Sequence, residues 1–184
     1  MLELFRASLR DAKVIRVGDY DYIVHPICDG VPAVEPELLE EVVNAMFEVA
    51  DMDVDLIVAP EAMAFPLAAP LAMMSDIPYV AVRKRSYGLE GEVKVPQTTG
   101  YSCGDLYING VRRGDRVVVV DDVLSTGGTL RGIVNALRSI GAEVADVVVA
   151  VEKGNARKAL EKELDVRIKA LAHIEVRDGR VVVL

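Results

Sequence analysis

The sequence predicts an α/β fold built around a doubly wound parallel sheet. From residue 35 to about residue 172, strand-like apolar runs alternate with segments of helical periodicity, which is typical of parallel strands joined by right-handed crossovers. Two of the runs, LIVA and VVVV, are continuously apolar, as expected for strands buried on both faces. A length of 184 residues fits one domain, residues 1–184.

The first part of the chain does not follow this alternation. We therefore expect residues 1–34 to form a small N-terminal hood beside a core of residues 35–184. The pattern of the hood predicts a helix, two strands joined by a tight turn, and a loop. These are residues 2–9, 14–17, 20–27 and 28–32, with the turn at Gly18-Asp19.

The first half of the core predicts two helices and two strands. Pro36 suits the first turn of a helix, where its missing N–H costs nothing. The second helix contains Pro66 and Pro70, which predict a kink or a break. The helices are residues 36–50 and 64–75, and the strands are residues 53–59 and 77–82. The last strand runs into Arg83-Lys84-Arg85. The apolar stripe of the first helix consists of Leu39, Val42, Val43, Met46, Phe47 and Ala50.

Regular patterning fades over residues 86–110. This stretch is rich in glycine and carries two short alternating patches, which favour a two-stranded ribbon within a long flexible loop. Loops of this length are uncommon in compact domains and are often lids over a binding site. Later in the chain we predict a strand over 144–151, a helix over 155–163, a strand over 166–174 and a terminal hairpin over 177–184.

The stretch VVVVDDVLSTGGT, residues 117–129, has the pattern of a strand, an acidic pair, a small-residue loop and a helix start. We predict that the helix runs from Thr129 to Gly141. Glycines and a helix N-terminus present backbone N–H groups to an anion, so a phosphate fits this loop. Asp121 and Asp122 then suit sugar hydroxyls or a metal ion. The stretch therefore predicts a sugar-phosphate site at the end of a strand.

Other interpretations of this stretch fit less well. A Walker loop needs Gly-Lys-Ser/Thr, and the dinucleotide fingerprint needs three glycines directly after the strand; both are missing. A receiver-like signalling domain needs a further aspartate at the end of another strand and a distal lysine. Asp76 and Lys153 are poorly placed for these two roles. An ordinary strand-to-helix turn with a threonine cap remains the plain alternative.

Charge and composition argue against nucleic-acid binding, membrane insertion and secretion. The formal net charge of −8 argues against a general nucleic-acid surface, and no apolar stretch approaches the length needed to span a membrane. The first residues lack the pattern of a signal peptide. Cys28 and Cys103 have no metal-like spacing and are expected to be free thiols in a reducing cytoplasm.

The stretch 117–129 resembles the phosphoribosyl diphosphate signature of type I phosphoribosyltransferases. Glu61-Ala62-Met63, the RKRSYG run and Tyr101 follow the order of that family, so the resemblance covers nearly the whole chain. It is strongest to the adenine phosphoribosyltransferase branch. Within that branch the chain is most similar to archaeal enzymes named hypoxanthine/guanine phosphoribosyltransferases.

The resemblance implies the roles of the sugar-phosphate residues. Asp121 and Asp122 would accept hydrogen bonds from the ribose 2′ and 3′ hydroxyls, and the loop would hold the 5′-phosphate. The loop residues are Ser125, Thr126, Gly127, Gly128 and Thr129.

The resemblance also implies a pyrophosphate loop at Glu61-Ala62-Met63, with Glu61–Ala62 the candidate for a non-proline cis peptide bond. Members of the adenine branch usually carry Arg-Gly where this chain has Met63-Ala64, so Arg83, Lys84 and Arg85 would supply the missing positive charge. The alternative for these three residues is a solvated basic run at a strand end.

The resemblance makes residues 86–110 a catalytic loop that closes over phosphoribosyl diphosphate and excludes water. Tyr101 matches a tyrosine of that loop; alternatively it is a ribbon residue that packs on the sheet. The purine would lie under the hood, near Val24, His25, Pro26 and Ile27, although a lone histidine in an apolar strand is more often structural.

Base choice is the least specified property. Relatives outside this branch that use 6-oxopurines carry an aspartate where this chain has Ser125, so the partner of purine N7 is unassigned. The resemblance implies a magnesium-dependent transfer to hypoxanthine or guanine, with Mg²⁺ held by substrate oxygens and water, and a homodimer. Adenine is the alternative substrate, and a non-catalytic nucleotide sensor is the alternative function.

Overall fold

A computed structural model describes residues 2–98 and 103–184, apart from the side chains of Gln97, Thr98 and Cys103. The N-terminal segment begins with helix α1 (Glu3–Arg10), which is followed by an antiparallel hairpin of β1 (Lys13–Val17) and β2 (Tyr20–Val24). Val17 pairs with Tyr20, so the predicted turn at residues 18 and 19 is confirmed.

The strand predicted over residues 20–27 was too long. It ends at Val24, and a short helix α2 (Pro26–Asp29) takes up part of the predicted loop. Pro26 occupies the first turn, where a fixed φ and a missing N–H are tolerated. The Nδ1 atom of His25 accepts a hydrogen bond from the backbone N–H of Ile27 and caps this helix.

Two crossover units follow. They comprise α3 (Pro36–Val49), β3 (Leu56–Pro60), α4 (Phe65–Ser75) and β4 (Tyr79–Val82). Helix α4 continues through Pro70, so the prolines do not break it. On α3, Leu38 is among the buried residues, whereas the predicted Leu39 is only partly buried.

Strands β5 (Val93–Thr98) and β6 (Cys103–Ile108) pair in antiparallel register, which confirms the predicted ribbon. Val95, Leu106 and Ile108 are buried on its inner side. The ribbon packs on the helix that follows β7: a Cβ atom added at Gly132 would lie 2.6 Å from the carbonyl oxygen of Pro96. Glycine at this position therefore allows the backbones of ribbon and helix to approach closely.

The remaining elements are β7 (Arg116–Leu124), α5 (Gly128–Ile140), β8 (Glu143–Lys153), α6 (Arg157–Leu164), β9 (Ile168–Arg177) and β10 (Arg180–Val183). Helix α5 begins one residue before the predicted Thr129. Strands β9 and β10 form the expected terminal hairpin. No helix of the described residues is long and apolar enough to cross a membrane.

The central sheet has six strands in the order β10-β9-β8-β7-β3-β4. All neighbours are parallel except the antiparallel pair of β9 and β10, so the predicted doubly wound sheet is confirmed. The chain places β4 on one side of β3 and then returns to place β7 on the other side. The strand order therefore reverses between β3 and β7, where ligands bind in open α/β sheets.

The apolar core lies on both faces of this sheet. Val118 and Val120 pack with α1, α3 and α4 on one face. Val117 and Val119 pack with α5, α6 and the ribbon on the other face. Alternate residues of a strand point to opposite faces, so two buried faces require an uninterrupted apolar run, as the sequence of β7 shows.

Candidate active site

A cavity of about 400 Å³ opens at the carboxyl ends of β3 and β7. Strand β7 pairs with β3 only from Val117 to Val119, but it pairs with β8 as far as Leu124. The last part of β7 therefore has an open edge toward β3. The cavity occupies this gap, and the β1–β2 hairpin with α2 closes one side of it.

Asp121 and Asp122 line the cavity on this unpaired part of β7. The sequence placed them beyond the strand; instead, the strand continues through them to Leu124. Oδ1 of Asp121 accepts a hydrogen bond of 2.9 Å from the backbone N–H of Asp122.

The environment of this pair disfavours two negative charges. Burial raises the pKa of Asp121 to about 6. Burial and the neighbouring charge of Asp121 together raise the pKa of Asp122 well above its usual value. A ligand that brings hydroxyl donors or a cation would stabilise the ionised pair.

Residues 125–129 comprise the loop between β7 and α5 and the first two residues of α5, and all five line the cavity. Gly127 has φ 79° and directly precedes the helix, which begins at Gly128. A Cβ atom at Gly127 would lie 2.1 Å from a methyl group of Leu160, so glycine is required both by its φ and by the packing of α6. The first turn of α5 offers backbone N–H groups and the positive end of the helix dipole, which together suit a phosphate.

The segment after β3 brings Glu61, Ala62 and Met63 to the same cavity. The Glu61–Ala62 peptide bond is cis, as predicted. Oε2 of Glu61 accepts hydrogen bonds from Nε of Arg83 at 2.8 Å and from the backbone N–H of Lys84 at 3.1 Å. The N–H of Lys84 and the guanidinium of Arg83 lower the pKa of Glu61 and keep it ionised.

The three residues of the basic run have different surroundings. Arg83 is held by Glu61 and lies 5.7 Å from the ring centre of Phe65, so its charge is already paired. Arg85 is exposed, lies 5.9 Å from the ring centre of Tyr87 and does not line the cavity. Lys84 is the member of the run that lines the cavity. Tyr101, also predicted as a site residue, falls outside the described residues.

The structure does not place Val24, His25 or Ile27 at the cavity. The side chain of His25 is 0% exposed, and its Nε2 lies 2.9 Å from Oγ of Ser8. Since Nδ1 accepts from Ile27, the proton lies on Nε2, which donates to Ser8. Burial lowers the pKa of His25 to about 4, so the ring is neutral and structural.

Other hood residues face the cavity instead, and the sequence reasoning did not select them. They are Tyr20, Tyr22, Ile23, Cys28 and Asp29. The spacing of Tyr20 and Tyr22 could have identified these two, because residues two apart in a strand share a face. Burial among carboxylates raises the pKa of the Cys28 thiol well above its usual value, so the thiol stays protonated.

Lys153 was also missed as a site residue. It lies at the carboxyl end of β8 and lines the cavity. Its Nζ lies 3.6 Å from the ring centre of Tyr20 and donates to the backbone carbonyl of Asp21. A polar residue at the end of the strand beside β7 is the signal that could have indicated it.

The described residues contain no group of three or more His, Cys, Asp or Glu side chains that could hold a metal ion by itself. Asp121 and Asp122 nevertheless offer carboxylate oxygens, the ligand type that Mg²⁺ prefers. Because Mg²⁺ commonly keeps water and substrate phosphate oxygens as ligands, these two residues fit a shared magnesium site.

Comparison with known proteins agrees with this geometry. The phosphoribosyl transferase domain family matches residues 36–178. The hypoxanthine/guanine phosphoribosyltransferase of Methanocella paludicola is 50% identical over 184 residues, which cover 100% of this chain and 96% of that protein. The enzyme of the same name from Methanocaldococcus infernus is 52% identical over 177 residues, 96% of this chain and 97% of that protein.

Solved structures with the same fold include two adenine phosphoribosyltransferases. The enzyme from Thermoanaerobacter pseudethanolicus superposes with a TM-score of 0.75 at 25% identity and covers 94% of this chain and 99% of its own. The enzyme from Rhodothermus marinus gives a TM-score of 0.74 at 22% identity and covers 95% of this chain and 98% of its own. The family match, the two relatives and the shared fold together show that this chain belongs to the phosphoribosyl transferase family.

Proposed function

We propose that this protein is a purine salvage enzyme that transfers the 5-phosphoribosyl group of phosphoribosyl diphosphate to hypoxanthine or guanine. The products are IMP or GMP and pyrophosphate. One observation carries this proposal: a single cavity combines an acidic pair, a helix N-terminus and the loop of Glu61, Ala62 and Met63 beside Lys84. A sugar that carries phosphate at one end and diphosphate at the other matches all three.

We assign the sugar to the end of β7. The loop residues 125–129 would bind the 5′-phosphate through backbone N–H groups and hydroxyls. Asp121 and Asp122 would accept hydrogen bonds from the 2′ and 3′ hydroxyls of the ribose. This assignment accounts for two carboxylates beside an anion site, because neutral hydroxyls separate the charges. The raised pKa of Asp121 supports a pair that needs donors from its ligand.

We assign the leaving diphosphate to the loop of Glu61, Ala62 and Met63. Lys84 lines this part of the cavity and would contribute positive charge, while Arg83 would hold Glu61 and the loop in place. Mg²⁺, bound through substrate oxygens with Asp121 and Asp122 nearby, would supply further charge to the leaving group. The attacking base nitrogen forms a bond to C1′ as the C1′–O bond breaks, the electron pair leaves with pyrophosphate, and the imidazole-ring N–H proton of the purine is released to solvent.

We propose that residues 86–110 close over the bound substrates. The ribbon is fixed at its base, since Val95, Leu106 and Ile108 are buried there. Closure would exclude water from an oxocarbenium-like transition state, which water would otherwise intercept. Tyr101, which is outside the described residues, would be the catalytic residue of this loop.

The base preference rests on a different observation. Lys153 is a cation at the cavity wall beside the phosphate loop, and a lysine is a hydrogen-bond donor only. The 6-oxo group of hypoxanthine and guanine is an acceptor, whereas the 6-amino group of adenine is a donor. The names of the Methanocella paludicola and Methanocaldococcus infernus relatives agree with this preference. Adenine is the second candidate, because the two solved structures described above are adenine enzymes.

We also propose that the protein acts as a cytoplasmic homodimer built from single domains of residues 1–184. Exposed apolar side chains on α4 and β4 support self-association: Met73 on α4 is 85% exposed, and Met74 on the same helix and Tyr79 on β4 are exposed as well. The free, buried thiol of Cys28 agrees with a reducing compartment. Sedimentation equilibrium of the wild type and of Met73→Glu tests the dimer, which the charged variant should weaken.

A steady-state assay tests the proposed reaction. Phosphoribosyl diphosphate, MgCl₂ and each base are mixed with the protein, and nucleotide and pyrophosphate are measured together. We expect equal amounts of IMP or GMP and pyrophosphate. Release of pyrophosphate without a nucleotide, or turnover that persists in an Asp121→Asn, Asp122→Asn double variant, would contradict the proposal.

A further inference from the structure

Asp29 is a carboxylate of the cavity wall that has no role in the proposed binding of the sugar, the phosphate or the diphosphate. It lies at the end of α2, and its side chain is half-buried. The hydroxyl of Tyr22 donates to Oδ1 at 2.5 Å, and the backbone N–H of His25 donates to Oδ2 at 2.9 Å. Two donors on two oxygens fix the orientation of the carboxylate, yet each oxygen keeps a lone pair for a ligand.

Asp29 lies at one end of a polar and aromatic stripe. Tyr20 and Tyr22 point to the same side of β2, and their ring centres are 6.4 Å apart. Lys153 lies over Tyr20 at one end of the stripe, and Asp29 accepts from Tyr22 at the other end. The wall thus presents a cation, two aromatic rings and an anion in sequence, all lining the same cavity. A flat, polar heterocycle matches this wall.

The charge of Asp29 restricts what it can bind. In residues 2–98 and 103–184, no lysine or arginine forms a salt bridge with this carboxylate. The negative charge of Asp29 also raises the pKa of Asp122, after burial and the effect of Asp121. A further anion at this end of the cavity would be repelled. The free lone pairs of Asp29 therefore suit neutral N–H donors.

We propose that Asp29 is a specificity-determining residue that accepts a hydrogen bond from N1–H of a 6-oxopurine. In guanine the 2-amino group, next to N1, offers a second donor to the same carboxylate. Adenine has a lone pair at N1, which an ionised carboxylate repels. Asp29 thus favours hypoxanthine and guanine over adenine. This inference rests on the proposed function, because it assumes that a purine occupies the cavity.

Tyr22 is the positioning residue of this arrangement. Its hydroxyl donates to Asp29, and its ring is part of the stripe. Tyr22→Phe keeps the ring but releases one oxygen of the carboxylate. We expect this variant to raise KM for hypoxanthine while kcat and KM for phosphoribosyl diphosphate stay within about twofold, since the carboxylate itself remains.

The decisive variant is Asp29→Asn, which keeps the shape and replaces the anion by an amide that both donates and accepts. We expect kcat/KM for hypoxanthine and guanine to fall at least about tenfold relative to that for adenine. Asp21→Asn is the matched control: it removes the same charge from the neighbouring β1–β2 hairpin, where Asp21 pairs with Arg16 away from the cavity. The control should leave base selectivity unchanged.

The outcomes separate the inference from the proposed function. If the wild type converts no purine to a nucleotide, the proposed function fails. If the wild type is selective and Asp29→Asn keeps that selectivity, the role of Asp29 is wrong. Calorimetric titration with IMP and AMP provides a readout without turnover: the IMP/AMP affinity ratio should fall at least about tenfold in Asp29→Asn, and an unchanged ratio would overturn the inference.

Discussion

The hydroxyl of Tyr20 donates a hydrogen bond of 2.8 Å to Oγ of Ser125, which lies 105 positions later in the chain. The first residue belongs to β2 and the second to the loop before α5. Lys153 lies over the same tyrosine ring and donates to the backbone of Asp21. The N-terminal hairpin is therefore joined to the loop after β7 and to the carboxyl end of β8.

The bond between Tyr20 and Ser125 gives the first prediction. Tyr20→Phe removes the hydroxyl but keeps the ring under Lys153. Without this hydrogen bond, the ordered conformation of the phosphate loop should be about 1 kcal/mol less stable. That free energy corresponds to a rise of about fivefold in KM for phosphoribosyl diphosphate. Steady-state kinetics at saturating hypoxanthine measures this. An unchanged KM in Tyr20→Phe would show that the hairpin does not support the loop.

The acidic pair gives a prediction on both activity and stability. The raised pKa of Asp121, about 6, means that between about pH 4 and pH 6 the folded protein binds more protons than the unfolded chain. Stability contributed by this group therefore falls as pH rises through that window. We expect Asp121→Asn to raise the melting temperature at about pH 8 while lowering kcat/KM by at least about 100-fold.

Thermal unfolding of Asp121→Asn and the wild type across this pH range provides the check. The two curves should converge below about pH 3, where the carboxylate is protonated in both states. Asp165→Asn, a substitution at the exposed end of α6, serves as a control for the loss of one carboxylate. A melting temperature lower than that of the wild type at about pH 8 would contradict the burial of an unfavourable charge.

The basic run separates into two roles. Lys84→Ala removes a cation from the cavity wall, whereas Arg83→Ala removes the partner of Glu61. We expect Lys84→Ala to weaken inhibition by pyrophosphate about tenfold with an unchanged melting temperature. Arg83→Ala should reduce kcat because the loop of Glu61 is displaced. Arg85→Ala, an exposed cation outside the cavity, should behave like the wild type. Equal effects in all three variants would argue against these separate roles.

His25 should titrate far from its usual range. Burial lowers its pKa from 6.5 to about 4, so the folded protein binds fewer protons than the unfolded chain between these values. Stability contributed by neutral His25 is present above about pH 6.5 and is lost as pH falls toward 4. An NMR titration of the imidazole resonances measures the pKa directly, and a midpoint near 6.5 would contradict the buried, neutral ring.

The sequence was sufficient for the parts of the site that depend on local chemistry. The acids, the glycines and the helix start of residues 117–129 lie within one segment, and their order follows from strand and helix rules. The cis bond at Glu61–Ala62 was predicted from the family resemblance and is confirmed. The end of the strand differs from the prediction, because β7 continues through Asp121 and Asp122, where β8 still pairs with it and β3 does not.

The hood side of the cavity could not be predicted in the same way. Whether His25 or Tyr22 faces the cavity depends on where β2 ends, and Pro26 with the His25 cap turns the chain into a helix at that point. That turn buries His25 and brings Asp29 under the hydroxyl of Tyr22. The pairing of Arg83 with Glu61 could not be predicted for a similar reason, since the two residues are 22 positions apart in the chain.

The central claim is that this cavity transfers a phosphoribosyl group to a 6-oxopurine. The most direct test is a competition assay in which the wild type receives limiting phosphoribosyl diphosphate with hypoxanthine, guanine and adenine at equal concentrations. The nucleotides formed then report the ratios of kcat/KM in one mixture. We predict that IMP and GMP together exceed AMP by at least about tenfold. A mixture dominated by AMP, or phosphoribosyl diphosphate left unconsumed, would contradict the claim.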